Sequence, residues 1–217
     1  MINVTIADDH PLVREGIKKV IQQEIDVNLI GEASDGHELL SMLDDHQPDL
    51  VITDITMSGK SGLDLIKDIV NRYPGLPVLV LSIHPAERFA LRSLKAGAMG
   101  YLSKSSISDE LVKAIRKIVT QKRRYITDAV AEQLALQVNR THDSKDAMDG
   151  SLHEILSDRE FEVLRMIAAG DQIKTIADKL SISPNTVHTY RARLKTKMNL
   201  GTDVEMTRYA MLNDLVE

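Results

Sequence analysis

The first 120 residues alternate short apolar runs with longer segments in which apolar residues recur at helical spacing. The apolar runs are bounded by Asp, Gly or Pro, which predicts strands at Val4–Ala7, Val27–Ile30, Leu50–Thr53, Val78–Ser82 and Gly100–Leu102. The helical segments include Val13–Gln23, Leu63–Arg72, Arg88–Ala96 and Asp109–Gln121. This alternation predicts an α/β domain over residues 1–121, a doubly wound parallel sheet of five strands with helices on both faces.

The pattern changes after Lys122. A short helix is predicted over Asp128–Gln137, and the polar segment 139–150 is typical of a linker, so residues 122–150 are expected to join two domains. Residues 151–217 show only helical periodicity, which predicts a small all-α domain.

Polar side chains of complementary chemistry stand where four of the predicted strands end. They are Asp8 and Asp9 after the first strand, Asp54 after the third, Ser82 after the fourth and Lys104 after the fifth. The carboxyl ends of parallel strands meet at one edge of a sheet, so these groups are expected in one pocket. Clustered carboxylates repel each other and favour a hard cation with oxygen ligands, for which Mg²⁺ is suited.

Such a pocket has the composition of a phosphoryl-transfer site in which a carboxylate is the nucleophile. Asp54 would attack phosphorus, and Lys104 and Ser82 would bind the phosphoryl oxygens. Taken alone, an Asp at a strand end is more often a helix cap or a turn residue. Five such groups at four strand ends favour the site.

These residues resemble the receiver domain of two-component response regulators over residues 1 to about 120. The resemblance implies a flavodoxin-like sheet of strand order 2-1-3-4-5 and phosphorylation of Asp54 by a sensor histidine kinase. It also implies that Mg²⁺ is ligated by Asp9, Asp54 and the backbone carbonyl of Thr56, with Asp8 acting through water. Ser82 and Tyr101 would form the switch.

The last domain has the helix signals of a helix-turn-helix. Ser157 and Glu160 form a capping box before a helix that ends near Gly170, and Ile173–Leu180 predicts a second short helix. Ser183-Pro184 then caps a third helix.

Charge distinguishes this third helix from its surroundings. The whole chain has a net charge of −5, which argues against a polyanion as partner, and residues 151–217 carry nine basic and ten acidic side chains. Pro184–Gly201 nevertheless contains four basic residues and no acidic one. A basic run alone is more often a solvated helix face. Together with the turn and the caps, it indicates DNA binding.

The segment from Leu156 to about Leu200 is similar to the LuxR-type helix-turn-helix of the NarL/FixJ class. The matching residues are Leu156, Arg159, Glu160, Glu162, Val163, Leu164, Gly170, Ile176, Ala177, Leu180, Ile182, Ser183, Thr186, Val187 and Lys197. The similarity implies that residues in the first half of the third helix face the major groove, namely His188, Thr189 and Ala192. The residues that it implies near the DNA backbone are Tyr190, Arg191, Arg193, Lys195 and Lys197.

A tail helix is predicted near Val204–Leu215, and two interpretations of it stay open. It packs on its own domain, or it forms a dimer on DNA as in the family.

Composition excludes several other functions. The chain has no cysteine, which excludes disulfides, thiolate catalysis and zinc–thiolate or iron–sulfur sites. It also lacks an apolar run of membrane-spanning length and a secretory N-terminus, so a cytoplasmic protein without membrane contact is expected.

The leading hypothesis is therefore a cytoplasmic DNA-binding response regulator that is not an enzyme and forms a homodimer when phosphorylated. One alternative is a phosphatase or phosphotransferase, but such enzymes place a second carboxylate two residues after the nucleophile, where this chain has Thr56. The other is a DNA-binding module with a vestigial receiver, against which the intact pocket residues argue.

Overall fold

A computed structural model describes residues 1–55, 57, 62–82, 86–128, 130–132, 152–180, 182–213 and 215–216. The chain divides into two compact units, Met1–His142 and Asp143–Glu217. The predicted helix over Asp128–Gln137 lies mostly outside the described residues, and the linker segment 139–150 lies wholly outside them. Within the described ranges, no helix is both long and apolar enough to cross a membrane.

The first unit alternates strands and helices as the sequence predicts. The strands are β1 (Ile2–Ala7), β2 (Val27–Ala33), β3 (Leu50–Asp54), β4 (Val78–Ser82) and β5 (Gly100–Ser103). The helices are α1 (Pro11–Gln22), α2 (Gly36–Asp45), α3 (Gly62–Arg72), α4 (Ala86–Ala96) and α5 (Ile107–Gln121). All strand pairs are parallel, and the order β2-β1-β3-β4-β5 confirms the prediction.

The central strands are buried on both faces, which explains why they are continuous apolar runs. Every residue of β3 and β4 is buried. Alternate side chains of these strands, such as Ile52 and Leu81, pack in one cluster with Ile17 of α1 and Ile115 of α5. The polar residues of β3 and β4 are confined to the carboxyl ends of these strands, where Thr53, Asp54 and Ser82 lie.

The turn after β5 is a 3₁₀ segment over Lys104–Ser106, and Ser103 Oγ accepts the Ser105 N–H at 3.3 Å. This cap lies at the start of the turn that carries Lys104. No cis peptide bond occurs among the described residues.

The segment after α5 that contains Tyr125, called the strap below, lies along the edge of β5. Tyr125 forms a parallel bridge with Gly100, and its N–H donates to the Met99 carbonyl at 2.8 Å. A Cβ at Gly100 would lie 3.1 Å from Tyr125 and 2.9 Å from Leu79, so the strap approaches closely because residue 100 is glycine. Burial and a hydrogen bond to Glu110 raise the pKa of Tyr125 to about 12.

The second unit is helical: α6 (Asp158–Ala168), α7 (Ile173–Leu180), α8 (Pro184–Met198) and α9 (Asp203–Leu212). The Ser157 capping box and the Ser183 cap of α8 are present as the sequence predicts. The core between the helices is apolar and includes Phe161, Leu164, Leu180, Val187 and Leu194.

The tail helix α9 packs on α6 through one face. Met206 and Ala210 are buried, whereas Val204 and Leu212 on the outer face are 77% and 74% exposed. The first of the two interpretations of this helix therefore holds for its inner face. Dimerisation through the outer face stays a prediction.

Candidate functional site

Three carboxylates meet at the carboxyl edge of the sheet. Ligand atoms of Asp8, Asp9, His10 and Asp54 all lie within 4.8 Å of one another. Asp8 and Asp54 are buried, while Asp9 is 29% exposed at the mouth of the pocket. The arrangement follows from the parallel register, because Asp8 comes directly after β1 and Asp54 ends the adjacent β3.

Lys104 compensates the two buried carboxylates. Its Nζ lies 2.7 Å from Asp8 Oδ2 and 2.8 Å from Asp54 Oδ2, and the side chain is only 8% exposed. Burial disfavours the ammonium, but the hydrogen bonds and charges of Asp54 and Asp8 outweigh it and raise the pKa of Lys104 above its ordinary value. The lysine therefore stays charged and holds the Asp54 carboxylate in place.

The loop after β1 is held by contacts that the sequence analysis did not identify. His10 Nδ1 lies 2.7 Å from Asp9 Oδ1 and 3.2 Å from Asp8 Oδ1, and the His10 N–H donates to Asp8 Oδ1 at 2.8 Å. Arg14, one turn into α1, donates through Nη1 to the Asp8 carbonyl oxygen at 2.5 Å. The signal for the Arg14 contact in the sequence is a cation five residues after the acidic pair, at the end of the first turn of the following helix.

The hydroxyl and the aromatic ring predicted for the switch lie on neighbouring strands. Ser82 ends β4 and is fully buried, and Tyr101 of β5 is 1% exposed. Tyr101 pairs with Val80 and therefore lies two residues behind Ser82 along the sheet. The remaining predicted metal ligand, the carbonyl of Thr56, lies outside the described residues.

The exposed face of α8 carries small polar side chains. His188, Thr189 and Ala192 are exposed as the resemblance implies, and Tyr190 is half-buried. The face also includes Asn185 and Thr196, which the sequence analysis did not name. In the sequence, each of them lies four residues from one and seven residues from the other of Thr189 and Ala192, which is the spacing of one helix face.

Three of the four cations on α8 are held by acids of the same unit. Arg191 contacts both carboxylate oxygens of Asp203, and this two-contact ion pair is called the fork below. Lys195 Nζ lies 3.7 Å from the same carboxylate. Lys197 Nζ lies 2.7 Å from Glu160 Oε2. Arg193 is exposed and has no acidic partner within the part of the chain that the structure describes.

Glu160 joins the start of α6 to the third helix of the unit. Its Oε2 accepts the Ser157 N–H at 2.8 Å and the Lys197 ammonium at 2.7 Å. Burial alone would raise the pKa of Glu160, but Lys197 and Ser157 lower it below its ordinary value of 4.5. The carboxylate therefore contributes stability above that value, and the contribution is lost as the pH falls through the lowered pKa.

Glu160→Gln is expected to destabilise the second unit by about 1 to 2 kcal/mol at pH 7, because it removes a buried carboxylate that accepts hydrogen bonds from Ser157 and Lys197. The difference from the wild type should shrink as the pH falls below 4.5. Thermal unfolding of the full chain at a series of pH values measures both effects. Glu162→Gln is the matched control, because Glu162 pairs with Arg159 on the same helix and is less buried. An equal loss in both variants at every pH would contradict the prediction.

Two family models match the chain on either side of its middle segment. Residues 4–116 match the response regulator receiver domain, and residues 154–210 match the luxR family of bacterial regulatory proteins. The chain belongs to the response regulators. The match confirms the resemblance to regulators with a LuxR-type helix-turn-helix, the NarL/FixJ class.

Relatives of this response regulator align along its whole length. It is 35% identical to the response regulator GacA of Pseudomonas viridiflava over 100% of this chain and 99% of the relative. It is 34% identical to the response regulator UvrY of Escherichia coli K12, over 99% and 96%. Among solved structures, RcsB of Salmonella enterica serovar Typhimurium, bound to the promoter rprA in the presence of the phosphomimetic BeF₃⁻, is 28% identical. Its TM-score is 0.69, with 96% of this chain and 97% of that one covered.

Proposed function

We propose that this response regulator accepts a phosphoryl group on Asp54 from a sensor histidine kinase and acts as a sequence-specific DNA-binding transcriptional regulator in the cytoplasm. The observation that carries the proposal is the buried Asp54 carboxylate. It shares one pocket with Asp8 and Asp9 and lies 2.8 Å from the Lys104 ammonium. The family match and the relatives support the same function.

The transfer needs few groups from the protein. An Asp54 oxygen attacks the phosphorus of a phosphohistidine, the phosphorus–nitrogen bond breaks, and its electron pair stays on the imidazole, which takes up a proton. The product is an aspartyl phosphate. Lys104, held at the pocket by Asp8, then donates to a phosphoryl oxygen, and the Ser82 hydroxyl binds another.

The pocket suits Mg²⁺. The oxygen atoms of Asp8, Asp9 and Asp54 are hard ligands that converge within 4.8 Å, and two of the carboxylates are buried. We propose Asp9, Asp54 and the Thr56 carbonyl as ligands, with Asp8 acting through water. These residues would hold the ion, and when bound it would offset the negative charge of the carboxylates and of the phosphoryl oxygens.

Turnover of a free substrate is not expected, since Thr56 stands where aspartyl-phosphate enzymes place their general acid. The chain would take up one phosphoryl group and lose it slowly. Continuous release of phosphate from diverse esters would favour the enzyme instead.

The proposed DNA interface is the exposed face of α8. His188, Thr189 and Ala192 would meet base edges, and Ala192 could contact a thymine methyl group. Phosphates would be bound by the residues that border this face, namely Tyr190, Arg191, Arg193, Lys195 and Lys197. The exposed outer face of α9 supports dimerisation of the phosphorylated protein on DNA, as Val204 and Leu212 offer apolar surface there.

A single binding experiment tests both halves of the proposal. A duplex is selected from a random pool with the full chain, and its binding is followed by fluorescence anisotropy with Mg²⁺, with and without acetyl phosphate. Binding that strengthens on phosphorylation supports the proposal. Absence of DNA binding in both states, or an affinity that acetyl phosphate does not change, would refute it.

Arg193→Ala is expected to weaken binding to all duplexes alike. Arg193 is exposed on α8 and has no acidic partner among the described residues, so it is available to a phosphate. Loss of one phosphate contact should reduce the slope of log affinity against log salt by about 1. His188→Ala is the control, and it should change the selected sequence instead. Identical binding by both variants and the wild type would contradict the assignment.

A further inference from the structure

One acidic residue outside α8 holds two of its cations. Asp203 Oδ1 accepts from Arg191 Nε at 2.8 Å, and Asp203 Oδ2 lies 2.5 Å from Arg191 Nη2, so the guanidinium is bound by two parallel contacts. The same carboxylate lies 3.7 Å from Lys195 Nζ. Arg191 and Lys195 are one helical turn apart, which is why one acid reaches both.

The helix α9 does not depend on this fork for its start. Thr202 caps it, and the Glu205 carboxylate accepts the N–H groups of Gly201 at 2.6 Å and Thr202 at 2.9 Å. These hydrogen bonds lower the pKa of Glu205. The helix dipole also favours a negative charge in this first turn, where Asp203 lies. The main effect of the fork is therefore to orient the Arg191 side chain, and α9 would begin at the same residue without it.

The fork lies at the border of the exposed face of α8. Arg191 and Lys195 are half-buried, whereas their neighbours His188 and Ala192 are exposed. Asp203 occupies the Nε and one Nη of the guanidinium, and the other Nη retains its donors. The fork thus fixes the direction of Arg191 and cancels one positive charge, without removing all of its hydrogen-bonding capacity.

We infer that Asp203 is a positioning residue for DNA discrimination. It reduces the attraction of α8 for phosphates of any sequence and directs Arg191 toward one phosphate position beside the base-reading face. Binding to DNA of any sequence depends on the number of cations that are available to phosphates. The alignment of the protein on a preferred sequence depends instead on phosphate contacts that hold it in one position on the duplex. This inference rests on the proposed DNA-binding function.

The experiment uses the full chain and two probes, the duplex selected from a random pool and a random-sequence duplex. Asp203→Asn is expected to bind the random duplex more tightly, with a salt slope steeper by about 1. The ratio of the two affinities should fall by about threefold to tenfold. Asp171→Asn is the matched control, because it removes one charge from a 2.8 Å pair with Lys179 of α7.

A double-mutant cycle separates positioning from a structural effect. In an Arg191→Gln background, Asp203→Asn should change the affinity ratio by less than half as much, since its main partner is gone. Equal ratios and slopes for Asp203→Asn and Asp171→Asn would overturn the inference, as would an equal loss of affinity for both duplexes. In those cases the wild type still binds DNA and the proposed function stands. A wild type that binds neither duplex overturns the proposed function and this inference together.

Discussion

Replacing Asp54 with Asn is expected to abolish phosphoryl uptake completely. The amide is a poor nucleophile for phosphorus, and the substitution leaves Lys104 bound to Asp8 at 2.7 Å, so the fold of the pocket is preserved. Intact-protein mass spectrometry after incubation with Mg²⁺ and acetyl phosphate should show one added phosphoryl group on the wild type and none on the variant.

Asp45→Asn provides the control for this experiment. Asp45 is exposed at the end of α2, so this variant should take up the phosphoryl group as the wild type does. Uptake by the Asp54 variant would show that another side chain is the acceptor. It would refute the assignment of Asp54 even if DNA binding persisted.

Replacing Lys104 with Met is expected to cause the largest loss of stability. Methionine keeps most of the apolar stem but removes the only cation among the described residues that lies within 4 Å of both Asp8 and Asp54. Breaking a buried ion pair in this way costs about 3 to 5 kcal/mol, because uncompensated charge stays buried. Urea unfolding followed by circular dichroism measures the loss.

Two comparisons make this prediction specific. Lys18→Met removes a 2.8 Å pair with Glu32 at the surface, where the expected loss is at most about 1 kcal/mol. Mg²⁺ should restore part of the stability of the Lys104 variant, since a cation that binds only the folded pocket stabilises it. Equal losses in the two variants, or no effect of Mg²⁺, would contradict the electrostatic role of Lys104.

The fold of the first unit could be predicted because burial on both faces of a parallel sheet leaves a simple pattern. Strands such as Leu50–Asp54 and Val78–Ser82 are short apolar runs, and their polar ends follow directly in the sequence. Strand order then brings Asp8 to Asp54 without further information. The helix caps at Ser157 and Ser183 were equally local signals.

The contacts that tune both sites could not be predicted. The pairing of Arg191 with Asp203 and of Lys197 with Glu160 depends on how separate helices pack, and residue spacing does not encode it. The sequence therefore suggested four equivalent cations on α8, whereas the structure leaves only Arg193 without an acidic partner in the described ranges. The contact from Arg14 to the Asp8 carbonyl has the same origin.

The bridge between Gly100 and Tyr125 ties the segment after α5 to the strand that carries Tyr101. The backbone N–H of Tyr125 donates to Met99 and its hydroxyl donates to Glu110, so both the backbone and the side chain of this residue hold the strap. A displacement of β5 would therefore be passed directly to the backbone at Tyr125, on the stretch of chain that leads from α5 toward the second unit.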